Sequence, residues 1–226
     1  MANVKTGFCA VLMFLFSLTV WGETTELKDI QLPAPQMEGG KPLMQVLKER
    51  HSTRNFSPEK LPLQVMSNLL WAAFGVNRPD TGKRTAPSAR NWQEVEIFVF
   101  LEEGVYQYEA KPNILKYIKA GDIRKLAGVQ DFVATAPMNL VYVADRSKMA
   151  GSKPEDQDLY SAADTGFICQ NVYLYCASEG LRAVVRGSID REALAKALNL
   201  SEDYRVILSQ TVGYPQVESS KPNEHK

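Results

Sequence analysis

Arg50-His51-Ser52-Thr53-Arg54 packs two guanidiniums, an imidazole and two hydroxyls into five consecutive residues. That is a dense set of donors for a phosphate or another polyanionic group. Arginine presents a rigid fork of N–H groups that matches phosphate oxygens in pairs. A second run, Pro87-Ser88-Ala89-Arg90-Asn91, is small and polar and contains a proline. Small side chains let backbone amides approach a flat ligand closely. On residue chemistry alone another reading stands beside this one. It is a solvated basic turn and an ordinary loop, because charge runs usually face water.

The elements that must position these two runs can be read from periodicity. Leu43 to Glu49 reads as a helix with Leu43, Val46 and Leu47 on one face, so Arg50 begins where that helix stops. Pro62 opens a second helix carrying Leu63, Met66, Leu69, Leu70 and Ala73, which ends near Gly75. Asn77 to Arg90 reads as a long polar loop, and long loops in a compact domain are usually functional or disordered. Val95 to Leu101 reads as a strand that turns through Glu102-Glu103-Gly104 into Val105 to Tyr108. A short helix follows over Asp122 to Ala127, then a buried strand over Met138 to Ala144. Gln157 to Glu179 is a long helix stopped by Gly180, and Leu181 to Val185 is a strand. Asp190 caps a helix over Arg191 to Leu198, and Tyr204 to Val212 is the last strand. Helices, a hairpin, a long helix and then strands make the fold α+β rather than a repeating βαβ.

Composition limits the function classes. The chain has 226 residues, 26 basic and 26 acidic, so the basic excess expected of a nucleic-acid or lipid-headgroup partner is missing. His51 and His225 are its only histidines, which argues against a histidine-built metal site. Cys169 and Cys176 lie seven residues apart on one predicted helix, about 10 Å along its axis at 1.5 Å per residue. A disulfide needs Cα atoms within ~7 Å, so the two are expected as unbonded core residues. A bond between equivalent cysteines across a dimer stays open.

At the N-terminus, Lys5 precedes an apolar run from Phe8 to Val20 that is short for a membrane span. Val20 and Gly22 sit at the −3 and −1 positions for cleavage after Gly22, and no lipobox surrounds Cys9. Residues 1–22 are therefore expected to be a signal peptide and the mature protein periplasmic. The alternative is an uncut anchor. Residues 23–41, with Pro33, Pro35, Gly39 and Gly40, read as an extended arm with no core of its own, leaving 42–226 as the folded domain.

The stretch RHSTRNFSPEKLP resembles the opening motif of the nitroreductase family of flavin mononucleotide (FMN) enzymes. The blocks LLWAAFGVNRPDTGKRTAPSARNWQEVEIFVF, DTGFICQNVYLYCASEGLRAVV and VGYP are similar to later family blocks in the same order. The resemblance implies a mostly antiparallel sheet flanked by helices in an intertwined homodimer, with flavin sites between the subunits. It assigns Arg50, Ser52 and Arg54 to the phosphate and ribityl chain, with His51 between them. Pro87, Ser88 and Ala89 would lie against the isoalloxazine, and Asn91 would meet its pyrimidine edge. Val185, Arg186 and Gly187 would run along the ring, where a backbone N–H points at N5, and Gly187 is the favoured position. The family's final basic phosphate ligand has no clear counterpart, since the only lysines after Pro215 are Lys221 and Lys226. Asp164, Gly166, Gln170 and Asn171 are expected to be architectural. Trp71, Phe74 and Trp92 are read as core, with substrate stacking as the alternative.

The resemblance implies an FMN oxidoreductase that moves hydride through N5 to or from small electron-poor aromatics or quinones. No Gly-x-Gly-x-x-Gly run suggests a separate dinucleotide domain, so NAD(P)H as donor would use the same open flavin face, in ping-pong order. The Leu-Leu-Trp-Ala-Ala and Thr-Ala-Pro-Ser-Ala strings also resemble the branch of thiazole/oxazole-forming dehydrogenases, which oxidise azolines in modified-peptide pathways. A flavin-binding redox partner with no substrate of its own is the third reading.

Overall fold

Strands β4 (Val95–Phe100) and β7 (Met138–Asp145) are apolar at nearly every position, the pattern of strands covered on both faces. The computed structural model of the chain describes residues 28–216 and places both at the centre of a seven-stranded sheet. The other strands are β1 (Ile30–Gln31), β5 (Gly104–Glu109), β6 (Ile114–Ala120), β8 (Arg182–Arg186) and β9 (Tyr204–Gly213). They run in the order β1-β6-β5-β4-β7-β9-β8, and every neighbouring pair is antiparallel. The fold is α+β, as read from the sequence.

Side-chain alternation splits the core in two. Val95, Ile97 and Val99 of β4 turn to one face, under helices α2 (Leu63–Phe74) and α4 (Pro154–Ser178). Phe98 and Phe100 turn to the other, against α3 (Phe132–Thr135) and α5 (Arg191–Ala197). Helix α1 (Leu43–Glu49) packs on α4 and ends at Arg50, whose N–H bonds Val46 O.

Helix α4 is the spine of the site. Pro154 at its start, with Glu155 and Asp156 in the first turn, suits the positive end of the helix dipole. It ends where Gly180 turns to φ 73° and Leu181 N–H reaches back to Cys176 O at 2.8 Å, a left-handed cap. Ile168, Cys169, Val172 and Cys176 are buried against the sheet, and both cysteines are free thiols. The opposite face carries Leu159, 62% exposed, and Phe167, 48% exposed. Among the described residues the chain covers one side of the helix only.

The structure departs from the sequence reading in several places. The arm is not independent of the core over its described part: Ile30–Gln31 pair with β6, and Leu32 is buried. The long loop holds a small hairpin, β2 (Val76–Arg78) with β3 (Lys83–Arg84). Strand β6 and helix α3 are additional, and the expected helix over Asp122 to Ala127 is a 3-10 turn over Arg124–Ala127. Helix α4 starts three residues earlier than its periodicity suggests. The expected signal peptide, Lys221 and Lys226 lie outside the described residues.

Candidate cofactor site

The end of α1 delivers Arg50 to Arg54 onto the edge of β8. Ser52 bridges Ala183 in parallel, and Thr53 N–H donates to Ala183 O at 3.0 Å. A side chain from α4 completes the joint. Tyr173 Oη lies 2.8 Å from Ser52 Oγ and accepts the Val185 N–H at 2.8 Å. The Arg50 guanidinium lies over the same ring, 5.3 Å from its centroid. Downstream, Ser57 N–H donates to Tyr214 O, and Phe56 bridges Pro215. Gly213 is needed there, because a Cβ would stand 2.9 Å from the Pro137 ring.

Arg54 is exposed, and neither Arg50 nor Arg54 forms an ion pair among the described residues. Thr53 Oγ1 is buried with no hydrogen-bond partner. His51 turns back, its Nδ1 bonding Glu49 O at 2.7 Å, so its ring is tied to the helix end. Two guanidiniums without carboxylates, an exposed serine hydroxyl and an orphaned threonine hydroxyl fit a phosphate-bearing group in charge and donor type.

The second run sits elsewhere on α4. Ala89 N–H donates to Asp164 Oδ2 at 2.8 Å, and Ser88 Oγ accepts the Gln93 N–H at 3.0 Å. Asn91 Oδ1 accepts from Gln93 Nε2. Pro87 and Asn91 are exposed, with Ser88 and Ala89 half-buried. Arg90, Asn91 and Gln93 have φ of 49°, 58° and 51°, the left-handed region that costs side-chain-bearing residues energy. Asp164 and Tyr173 are nine residues apart, about 13.5 Å along the helix. Within one chain the predicted site is therefore two groups, one at each position on α4.

At the end of β8 the three predicted residues part company. Gly187 is exposed, and a Cβ there would meet nothing nearer than Leu208 Cδ2 at 3.9 Å, so the fold makes no demand for glycine. The Val185 amide is already engaged by Tyr173. The expectation here concerns the backbone, and the Arg186 side chain is held by the core. It is 5% exposed and donates to Ser209 Oγ, Thr211 Oγ1, Asn139 Oδ1 and Ala127 O, with Phe132 against its guanidinium. Parity along the strand puts Arg186 on the face of buried Val184, under the second core layer. Burial pulls its pKa down to about 10, so it stays charged at neutral pH. Only its backbone is left for a ligand.

A cavity of about 940 Å3 opens beside Asn91, lined by Trp71, Val76, Arg84, Trp92, Lys111 and Lys148, with the β2–β3 hairpin forming one wall. Phe74 is core, as read. Trp71 and Trp92 are half-buried on the cavity wall, and Trp92 also meets Tyr160 edge-on at 5.8 Å. Sequence reasoning missed Tyr173 and Glu94, and took Asp164 as architecture only. No local signal marks Tyr173 or Glu94, because their partners come from distant segments.

A profile of the nitroreductase family matches residues 47–214. A relative from Methanocaldococcus jannaschii, provisionally named a nitroreductase, is 32% identical over 191 residues, covering 80% of this chain and 93% of its own length. The crystal structure of a protein from Ralstonia eutropha, provisionally named likewise, is 44% identical with a TM-score of 0.82, covering 85% of this chain and 92% of that one. Two further structures share the fold alone. The NADPH:FMN oxidoreductase of Vibrio harveyi, complexed with NAD+, has 21% identity and a TM-score of 0.58 over 80% of this chain and 72% of that one. A chain of the E. coli microcin synthetase complex has 18% identity and a TM-score of 0.64 over 92% and 85%. The family match and the two relatives at 32% and 44% identity make this a flavin oxidoreductase. The chain belongs to the nitroreductase family.

Proposed function

We propose that the protein is a homodimeric FMN oxidoreductase that passes hydride between a nicotinamide donor and small electron-poor aromatic or quinone-like acceptors. The observation that carries this reading is the Tyr173 hydroxyl, which holds the Arg50–Arg54 segment against the end of β8. Arg50, Ser52 and Arg54 would hold the phosphate and ribityl chain. The Pro87-to-Asn91 loop would lie on the ring, and the backbone at Val185 to Gly187 would flank its reacting edge. Bound FMN supplies reversible acceptance and release of hydride, and the chain supplies position and electrostatics.

The outward face of α4 supports the dimer. Leu159 and Phe167 are exposed there, as are Leu43, Met44 and Leu47 on α1. A two-fold partner would cover them with the same patch. It would also bring the Asp164 end of one helix towards the Tyr173 end of the other, joining the two halves of the site.

The Vibrio harveyi relative supports a nicotinamide donor. Donor and acceptor would take turns on one open face, giving parallel lines in double-reciprocal plots. The azoline-oxidising alternative draws only on the likeness of fold to the microcin synthetase complex and ranks second. Export to the periplasm is part of the proposal, tested by N-terminal sequencing of protein recovered from cells. For the cofactor, a flavin absorbance spectrum and fluorescence titration of the purified protein decide. Tightly held FMN is expected, and a colourless protein that leaves added FMN fluorescence unchanged overturns the reading.

A further inference from the structure

Glu94 is 0% exposed, and neither carboxyl oxygen has a hydrogen-bond partner that donates to it among the described residues. It follows the Pro87-to-Asn91 loop and opens into β4. The group in contact with it is another carboxyl, that of Asp164 on α4, 3% exposed. Asp164 Oδ2 holds the Ala89 N–H. An ionised carboxylate only accepts, so two of them meet in a buried site only with a proton between them.

Among the described residues the surroundings supply only a shared cation to relieve this. Lys148, in the turn after β7, is the positive group that faces Glu94. Its ammonium is already shared by Glu96 of β4 at 3.0 Å and Asp145 of β7 at 3.7 Å. Three acidic groups, Glu94, Glu96 and Asp145, thus share one lysine. Asp164 has a donor in Ala89 and keeps the charge. Glu94 has no donor from another residue and takes the proton. Burial, helped by the neighbouring Asp164, pushes Glu94 up to about 7 against the pull of its own backbone N–H and of Lys148. Asp164 is also raised by burial, opposed by the Ala89 N–H.

What the pair holds is a strained loop. Arg90, Asn91 and Gln93 all lie in the left-handed region, which persists only where neighbours over-determine the backbone. The bond from Ala89 to Asp164 ties the start of that loop to α4, and at the loop's end the Trp92 ring meets Tyr160 of the same helix.

We propose that Glu94 and Asp164 form a positioning pair that shares one proton: Glu94 donates to Asp164, Asp164 grips the Ala89 amide, and the Pro87-to-Asn91 loop is held ready for the flavin. Loss of the proton sets two charges in contact and loosens that grip. The proposal rests on the reading of this loop as part of the FMN site.

The test compares wild type with Glu94→Gln, whose amide donates to Asp164 at every pH. FMN affinity is measured by fluorescence titration between about pH 5.5 and about pH 8.5. Titration of the FMN phosphate is common to both proteins, so the difference between them is read. Wild type should lose about tenfold more affinity than the variant across this range, and equal pH dependence overturns the pair. Amide exchange of residues 87–93 in flavin-free protein gives a second readout. Wild type should lose protection at high pH relative to Glu94→Gln, and identical profiles overturn the pair. Should wild type bind no FMN at any pH, the cofactor reading fails and exchange alone judges the pair. If Glu94→Gln does not fold, Asp164→Asn takes its place, since its amide can accept from Ala89 and donate to Glu94.

Discussion

Ser52 Oγ and Tyr173 Oη lie 2.8 Å apart although 121 residues separate them in the chain. The same phenol accepts the Val185 N–H, and the Arg50 guanidinium covers its ring. A hydroxyl has one proton and two lone pairs, enough to satisfy both partners at once. One side chain on α4 thereby sets the spacing between the basic segment and β8.

Tyr173→Phe removes both bonds and leaves the half-buried Val185 amide without its partner. Stability should fall by about 1–2 kcal/mol in urea unfolding, and FMN affinity should drop about tenfold. Unchanged affinity would mean that the phenol does not position the phosphate segment.

Arg54 is exposed and forms no ion pair among the described residues, so its charge is spare as far as the fold is concerned. Arg54→Ala should leave the melting temperature within a degree or two. FMN binding should weaken by about ten- to a hundredfold, the loss of a charge-assisted bond of roughly 1.5–3 kcal/mol. Equal binding in titration would place Arg54 on an idle surface.

At Gly187 a methyl group has open space in the protein itself. Gly187→Ala should therefore fold with wild-type stability, within ~0.5 kcal/mol of it. If the backbone here approaches the flavin ring, the added Cβ should cut FMN affinity about tenfold. A variant with normal affinity moves the ring away from this position.

Glu94 titrates higher in the folded chain, about 7, than in the unfolded chain, about 4.3 for a free glutamate. Between those values the folded state binds more protons, so stability falls as pH rises through that window and levels off above it. Denaturant unfolding of wild type should show this fall, with a slope no steeper than about 1.4 kcal/mol per pH unit for one proton. Glu94→Gln should remove it, and a wild-type slope that survives in the variant assigns the titration elsewhere.

Phe167→Glu places a charge in the middle of the outward stripe of α4. A buried unpaired charge costs several kcal/mol, so dimer dissociation should strengthen at least about a hundredfold, with FMN retention falling alongside. Light scattering reads the first and flavin absorbance the second. A wild-type monomer that keeps its flavin would remove the dimer from the proposal.

The elements with strong periodicity were legible in the sequence: α1, α2, β4, β7 and β9 fall where their apolar patterns put them, and α4 does so except for its first three residues. Gly180 and Asp190 mark helix boundaries because capping is local chemistry. Strand β6 escaped because only Leu115 along it is fully buried, its outer neighbour β1 being two residues long. The β2–β3 hairpin escaped because two charged residues of a short strand carry no apolar pattern. The cluster of donors at Arg50 to Arg54 was equally plain as a cluster, while residue type and spacing alone left a solvated basic turn as the other reading.

What that cluster faces, and which of the other expected residues join it, only the tertiary structure decided. Arg186 and Gly187 are neighbours in the chain, yet one points into the core and the other lies open. The difference is strand parity against a sheet covered on both faces. Glu94 reads as an ordinary charged residue ahead of a strand until α4 places Asp164 against it. Hydrophobic periodicity reports which way a segment faces its own core. It carries no record of which distant segment will supply the partner, because that depends on how the sheet orders its strands and where one long helix crosses them.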